Sequence, residues 1–431
     1  MKNILHKILI LPIVFAAKGL EINSKLRVLA ELEVDLYNHI SEFQNDKFRK
    51  LINVAVNKSK YYRKVFCGMN INSLKDLSTL PTLNKTILNE LNLCDISTGI
   101  ENATIIRRTT GTTGKPVTVY VDKESLAWQL ATRYHFYKWY GIEPGDREAR
   151  FWGRPLKGYS FKVQDYLLNR RRFSFININK FDLLKEYDRF VKFKPDYLYG
   201  YSSLILSAAQ FISSENLSLV TPLKAVICTA ECISKHQKQY IENIFGCPVI
   251  EEYGCSEVDI IAFECPSRKL HVATFSKILE ATLSNEALVT DLDNLLMPLI
   301  RYNLGDTIEL SDQKCSCGRN LPFLNKVGGR TIEQLVRLDN GGSFHAVAFA
   351  YMLEDLAEKG YVLKQFKIIQ CGKTILFELD MDDKRDDFAR ELEKEFYLNF
   401  SNELQFKVEF KPIVIQEGKK HSYFECICPY E

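Results

Sequence analysis

The 431-residue sequence predicts an α/β protein with a large N-terminal unit, residues 1–329, and a small α+β unit, residues 330–431. Three observations carry this. The chain is too long for one ordinary compact core. Between about 145 and 330, short apolar strands alternate with helical stretches: "LKAVICTA", "SKHQKQYIENIF" and "PVIEEYG" read as strand, helix, strand. After "KVGGRTIEQLVRLDNGG" the texture changes, and "YVLKQFKIIQ", "KTILFELDM" and "LQFKVEFKPIVI" read as strands around one helix.

The N-terminus carries Lys2 and Lys7 and an apolar run from Ile8 to Ala17. It is too short to span a bilayer, and Pro12 interrupts it. We expect it to pack on the large unit, with peripheral membrane contact as the second reading and a cleaved signal as the third. Residues 25–67 read as helical, with Phe48, Leu51, Ile52, Ala55 and Val56 at helical spacing. Pro81 then separates two short pieces. Strands are expected at 103–109 and 116–121. A helix follows them, with Asp122 as N-cap and Gly141 as its stop. In the last hundred residues Phe388, Leu392, Phe396 and Phe400 fall four apart on one helix face. The boundary between the units is expected near Gly328–Arg330.

Composition narrows the function. Cations number 57 and anions 54, a balance that makes no electrostatic case for nucleic acid. Twelve cysteines without a repeating framework read as reduced thiols in a cytoplasmic protein.

The stretch "RRTTGTTGKP" (107–116) joins the two strands expected at 103–109 and 116–121. It is not a Walker-type loop: only Thr112 and Thr113 separate Gly111 from Gly114, and Pro116 follows Lys115. Its chemistry still suits phosphate. Gly111 and Gly114 let backbone N–H groups approach an anion. Thr109, Thr110, Thr112 and Thr113 each donate a hydroxyl proton, and Lys115 adds a point charge.

"TTGTTGKP" resembles the phosphate-binding signature of the acyl-adenylate-forming enzymes. The branch it looks most like is that of phenylacetate–CoA ligase, with its relatives from capsular and surface polysaccharide synthesis. Further stretches support the resemblance in order. In "EEYGCSEVD" it implies that Tyr253 and Gly254 line the nucleotide pocket, that Ser256 touches the α-phosphate and that Glu257 binds Mg²⁺. In "RYNLGDTIEL" it implies that Asp306 grips both ribose hydroxyls, and an ionised carboxylate can accept two hydrogen bonds. In "VGGRTIEQL" Arg330 matches an arginine that contacts ribose or phosphate. The aspartate hinge usual two residues later is replaced by Ile332 and then Glu333. In "QEGKKHSYF" Lys419 aligns with the catalytic lysine, with Lys420 as the alternative register.

The resemblance implies a large adenylate-forming domain and a small mobile one. It implies ATP and Mg²⁺, a small-molecule carboxylic acid, and CoA as one candidate acceptor. Lys419, Glu257 and Lys115 are then the catalytic set. "YLYGYSSLI" offers Tyr199 and Tyr201 to an acyl pocket or to the core. Two other functions stand beside acid activation: transfer of AMP to an acceptor that keeps it, and a degenerate scaffold in surface-glycan assembly. Finally, Cys265 and His271 in one stretch and Cys315 and Cys317 in another could close a tetrahedral zinc site. Their spacing alone favours free thiols, while the resemblance implies a structural metal; both readings stand open.

Overall fold

The computed structural model describes residues 5–34, 39–108, 117–152, 159–173, 180–218, 222–311, 313–328, 335–338, 343–359, 361, 363, 365–381, 385–400, 404–413 and 424–428. The N-terminal run is helical over His6–Ile10 and Leu11–Ala17, and it buries Leu11 and Phe15 in a core shared with Phe136 and Phe275. It therefore packs on the large unit, as expected. The helical stretch expected over 25–67 is three helices: Ile22–Val34, His39–Lys58 and Lys60–Val65. The last starts where the Ser59 hydroxyl accepts from the Tyr62 amide at 3.3 Å, an N-cap.

Strands β1 (Ile105–Arg108) and β2 (Thr118–Val121) form an antiparallel ribbon in which Arg108 pairs with Thr118. The Thr/Gly stretch leaves and re-enters at that end. The helix Lys123–Tyr137 begins at Asp122, whose carboxylate accepts from the Ser125 amide at 2.8 Å. A short turn then ends at Gly141, with φ 69°, so both expected helix signals hold.

The main sheet has eleven strands. One half is parallel: β3 (Glu148–Phe151), β4 (Arg170–Phe173), β5 (Tyr197–Tyr201), β6 (Ala225–Thr229) and β7 (Val249–Cys255). The other half is antiparallel: β8 (Asp259–Glu264), β9 (Leu270–Val272), β10 (Lys277–Ala281), β11 (Glu286–Asp291), β12 (Tyr302–Ser311) and β13 (Phe323–Gly328). The spatial order is β10-β11-β12-β13-β9-β8-β7-β6-β5-β3-β4.

The expected alternation of strand and helix up to 330 is thus corrected. It stops at β7, and successive strands follow without a helix among the described residues. The antiparallel half curls on itself. Ala262, Val272, Ala287, Ile308 and Leu324, from five strands, pack into one cluster. This roll brings β12 back beside β7 although three strands separate them in the sheet.

After Gly328 come the pair β14 (Leu335–Arg337) and β15 (Ser343–His345) and a four-stranded sheet. That sheet contains β16 (Gln365–Cys371), β17 (Thr374–Asp380), β18 (Gln405–Phe410) and β19 (Phe424–Cys428), in the order β18-β17-β16-β19. The helix Arg385–Asn399 lays Phe388, Leu392 and Phe396 into its core, with Phe400 just past the helix end. Each such side chain contributes about 1.5–3 kcal/mol by burial.

Candidate active site

A cavity of about 1070 Å³ opens where the parallel half of the sheet gives way to the antiparallel half. It is lined by the carboxyl ends of β5, β6 and β7, by β12, and by Arg107 and Arg108 beside the Thr/Gly stretch. A ligand crevice outside the carboxyl ends of parallel strands is what this sheet arrangement favours.

Tyr253, Gly254, Ser256, Glu257 and Asp306 all line this one cavity. Thr109, Thr110, Gly111, Thr112, Thr113, Gly114, Lys115, Arg330 and Lys419 lie outside the described residues. β7 and β12 exchange contacts across the cavity. From β7, the Tyr253 hydroxyl donates to Asp306 Oδ2 at 3.2 Å. From β12, the Tyr302 hydroxyl donates to Glu257 Oε1 at 3.2 Å. Burial, followed by the neighbouring carboxylate, pushes each phenol well above its usual range. Both tyrosines therefore stay protonated, and each fixes the orientation of one half-buried carboxylate.

Gly254 is required for this geometry. A Cβ there would meet the Asp259 carbonyl oxygen at 2.4 Å, so any side chain would push β8 away. Gly200 plays the same part between the cavity tyrosines of β5, where a Cβ would meet the Phe151 carbonyl oxygen at 2.2 Å. Three non-glycine residues on the cavity wall hold positive φ: Ala230 at 68°, Asp259 at 65° and Arg268 at 62°. Such conformations cost of order 1–3 kcal/mol and gather at functional sites.

Asp259 is the residue the sequence reading passed over. Its carboxylate joins two arginines, accepting from Arg107 at 2.9 Å and from Arg133 at 2.6 Å. Burial pushes this carboxyl up, but the guanidiniums of Arg133 and Arg107 outweigh it and hold it at about 2. Arg107 and Arg133 share this anion, with Glu252 also close to Arg133, beside the strand end that leads into the Thr/Gly stretch. Arg107 also donates to the Gln129 side-chain oxygen at 2.8 Å, which fixes the guanidinium further.

The end of the cavity at β3 and β5 is aromatic. Trp152 lies parallel to Tyr199, with an 8° interplanar angle and centroids 6.0 Å apart, and it tilts against Tyr201 at 4.6 Å. The Arg150 guanidinium sits over Tyr199 at 4.7 Å and over Trp152 at 5.6 Å. Tyr199 donates to the buried Glu252 at 2.9 Å. Tyr199 and Tyr201 thus both reach the cavity wall, although Tyr199 is mostly buried.

The cysteines and histidine singled out above also meet. The β9–β13 pairing sets Phe323 against His271 and draws the 315–317 turn over the end of β8. Candidate ligand atoms of Cys265, His271, Cys315 and Cys317 all lie within 4.8 Å of one another. Cys265 and Cys315 sulfurs are 3.7 Å apart, and Cys317 Sγ is 3.3 Å from His271 Nε2. His271 Nδ1 is 2.8 Å from the Leu321 carbonyl oxygen, so it is the protonated nitrogen and Nε2 is left as the ligand. Three thiols and one imidazole at this separation fit a closed tetrahedral metal site.

No family model matches the chain. Protein CapK of Staphylococcus aureus is 24% identical over 399 residues, covering 86% of each chain. Among solved structures, 2-hydroxyisobutyryl-CoA ligase in complex with 2-HIB-AMP and CoA in the thioesterification state superposes with a TM-score of 0.60, at 17% identity over 90% of both chains. An open conformation of that ligase gives a TM-score of 0.56 at 16% identity, over 88% of this chain and 90% of the other. The chain therefore has the fold of the adenylate-forming ligases and is similar to Protein CapK along most of both lengths.

Proposed function

We propose that the protein activates a carboxylic acid with ATP. The observation that carries this is the meeting of Glu257 and Asp306, each held by a tyrosine hydroxyl, in one cavity beside Arg107. A carboxylate oxygen attacks the α-phosphorus, a new P–O bond forms, and pyrophosphate leaves with the electrons of the bond it breaks. An acceptor then attacks the acyl carbon and AMP departs. Activation is needed because AMP is a far better leaving group than oxide.

In this reading Asp306 accepts from both ribose hydroxyls. Tyr253 offers its ring face to adenine, and Gly254 and Ser256 lie along the nucleotide. The stretch Thr109–Lys115 holds the departing phosphates, and Arg330 supports ribose or phosphate. Glu257 would hold Mg²⁺, whose charge shields the triphosphate when bound. Lys419 would stabilise negative charge at the reacting centre. Residues 1–329 form the ATP- and acyl-binding part and 330–431 the mobile part. Trp152, Tyr199 and Tyr201 suit an acid with a flat or ring-shaped body. CoA is one acceptor, and the resemblance to the phenylacetate–CoA ligase branch with its capsular relatives suggests surface polysaccharide synthesis. A cytoplasmic location would supply the ATP.

An acid-dependent pyrophosphate-release screen tests the reaction. Aromatic acids, amino acids and uronic acids are offered with and without CoA. Pyrophosphate and free AMP are expected with one acid class. AMP retained covalently on the product would replace this reading with AMP transfer, and no release with any acid would count against activation.

The Cys265, His271, Cys315 and Cys317 cluster would hold a structural Zn²⁺, which ties β8, β9 and the 315–317 turn together. Protein purified without chelator is expected to carry about one zinc per chain. Cys315→Ser should lose it and melt at a lower temperature. Metal-free wild-type protein in elemental analysis would remove the zinc assignment.

A further inference from the structure

The N-terminal helical run has one face in the core and an opposite face that nothing in the reaction uses. Leu5, Ile8, Leu9 and Ile13 lie three, four and eight positions apart and are 50%, 72%, 51% and 56% exposed. Leu11 and Phe15, on the inner side, anchor the run. A second apolar row stands beside it. On the helix Tyr159–Leu167, Tyr159, Val163 and Tyr166 are all exposed and share one face by their spacing. The rows meet at His6, whose Nε2 lies 3.1 Å from the Tyr166 carbonyl oxygen and whose ring packs edge-on against the Tyr166 ring, with centroids 5.4 Å apart.

Charge selects the partner. The sequence has no acidic residue from Met1 to Leu20, where Lys2, Lys7 and Lys18 occur. It has none from Tyr159 to Gln164, where Lys162 occurs. Lys7 holds Glu143 and Asp146, each at 2.7 Å, and Arg172 holds Asp165 at 2.8 Å, while Glu21 is exposed at the far end of the run. Lys18, Lys162 and Arg171 are exposed. Aliphatic side chains with tyrosines and cations around them are suited to the boundary of an anionic bilayer. An isologous contact with a second copy would set these cations against themselves. No helix among the described residues is long and apolar enough to cross a membrane.

The geometry points to a peripheral docking surface for anionic lipid, formed by Leu5, Ile8, Leu9 and Ile13 with Tyr159 and Tyr166. This inference does not depend on the proposed chemistry. Docking would hold the cavity near a membrane-bound acceptor or product.

Co-sedimentation of the full chain with large vesicles tests it. Phosphatidylglycerol–phosphatidylcholine vesicles should bind at least about tenfold more protein than phosphatidylcholine vesicles, and added salt should weaken that binding. Ile8→Ser with Leu9→Ser should reduce binding roughly tenfold. Lys18→Glu with Lys162→Glu, at exposed positions away from the core, should reduce it independently and without loss of fold. The inference is overturned if wild-type protein ignores anionic vesicles or if either variant pair binds them as the wild type does. It is also overturned if light scattering finds a wild-type dimer that the serine pair converts to monomer, which would make the occupant a second copy.

Discussion

Asp259→Ala is expected to destabilise the protein by about 3–5 kcal/mol, because it leaves two inward-facing guanidiniums without their shared anion. Arg107 and Arg133 both close on this carboxylate, whose side chain is only 10% exposed. The loss should exceed what protonation alone removes. The carboxyl sits at about 2, against an ordinary value of 3.8. Its folded pKa is depressed, so its contribution is fully present above about pH 4 and is lost as pH falls towards 2, amounting to about 2 kcal/mol. Alanine goes further, since it removes the acceptor as well as the charge. Urea unfolding at pH 7 reads the difference directly. Asp259→Asn keeps the shape and one acceptor oxygen, so it should fall between wild type and alanine. A shift under about 1 kcal/mol for alanine would mean that the arginines find other partners and that the cluster does not hold the cavity wall.

Lys419→Ala is expected to slow acyl-adenylate formation by about 10²–10³-fold, the usual cost of removing one preorganised charge from a developing anion. The motif permits two registers, Gly418-Lys419 or Lys420, and paired alanine variants separate them. Lys420→Ala should retain near wild-type pyrophosphate release. If Lys420→Ala carries the loss instead, the register moves by one. If neither does, the loop has no part in adenylation. On the proposed reading, the change at 332–333, where the resemblance expects a hinge aspartate, would bear on the second half-reaction rather than on this one. A defect confined to acyl transfer would therefore implicate the rotation between the two parts.

Features set by neighbours in sequence were legible. Asp122 capping its helix and Phe388, Leu392 and Phe396 on one helix face follow from one turn of local geometry. Glu257 and Asp306 were legible as chemistry, and the resemblance implied that they meet at one nucleotide; their spacing gives no route to that meeting, which comes from the roll that joins β7 to β12. The strand run after β7 was not legible either. Its apolar positions alternate weakly, and buried strands share their letters with buried helices. Asp259 lay within a quoted stretch and still passed unnoticed, since its partners stand 152 and 126 residues away. The cysteine and histidine cluster shows the same limit. Its spacing argued for free thiols, and only the β9–β13 pairing brings the halves together.

Equilibrium binding of Mg·ATP by isothermal titration, for wild type and Asp306→Ala, probes the convergence of β7 and β12 around one adenine nucleotide. Two charge-assisted hydrogen bonds to a ribose diol should make the alanine variant bind at least about tenfold more weakly, with the wild type binding in the usual micromolar-to-millimolar range for an enzyme substrate. Equal affinity in both proteins, or no binding by the wild type, would contradict the nucleotide assignment.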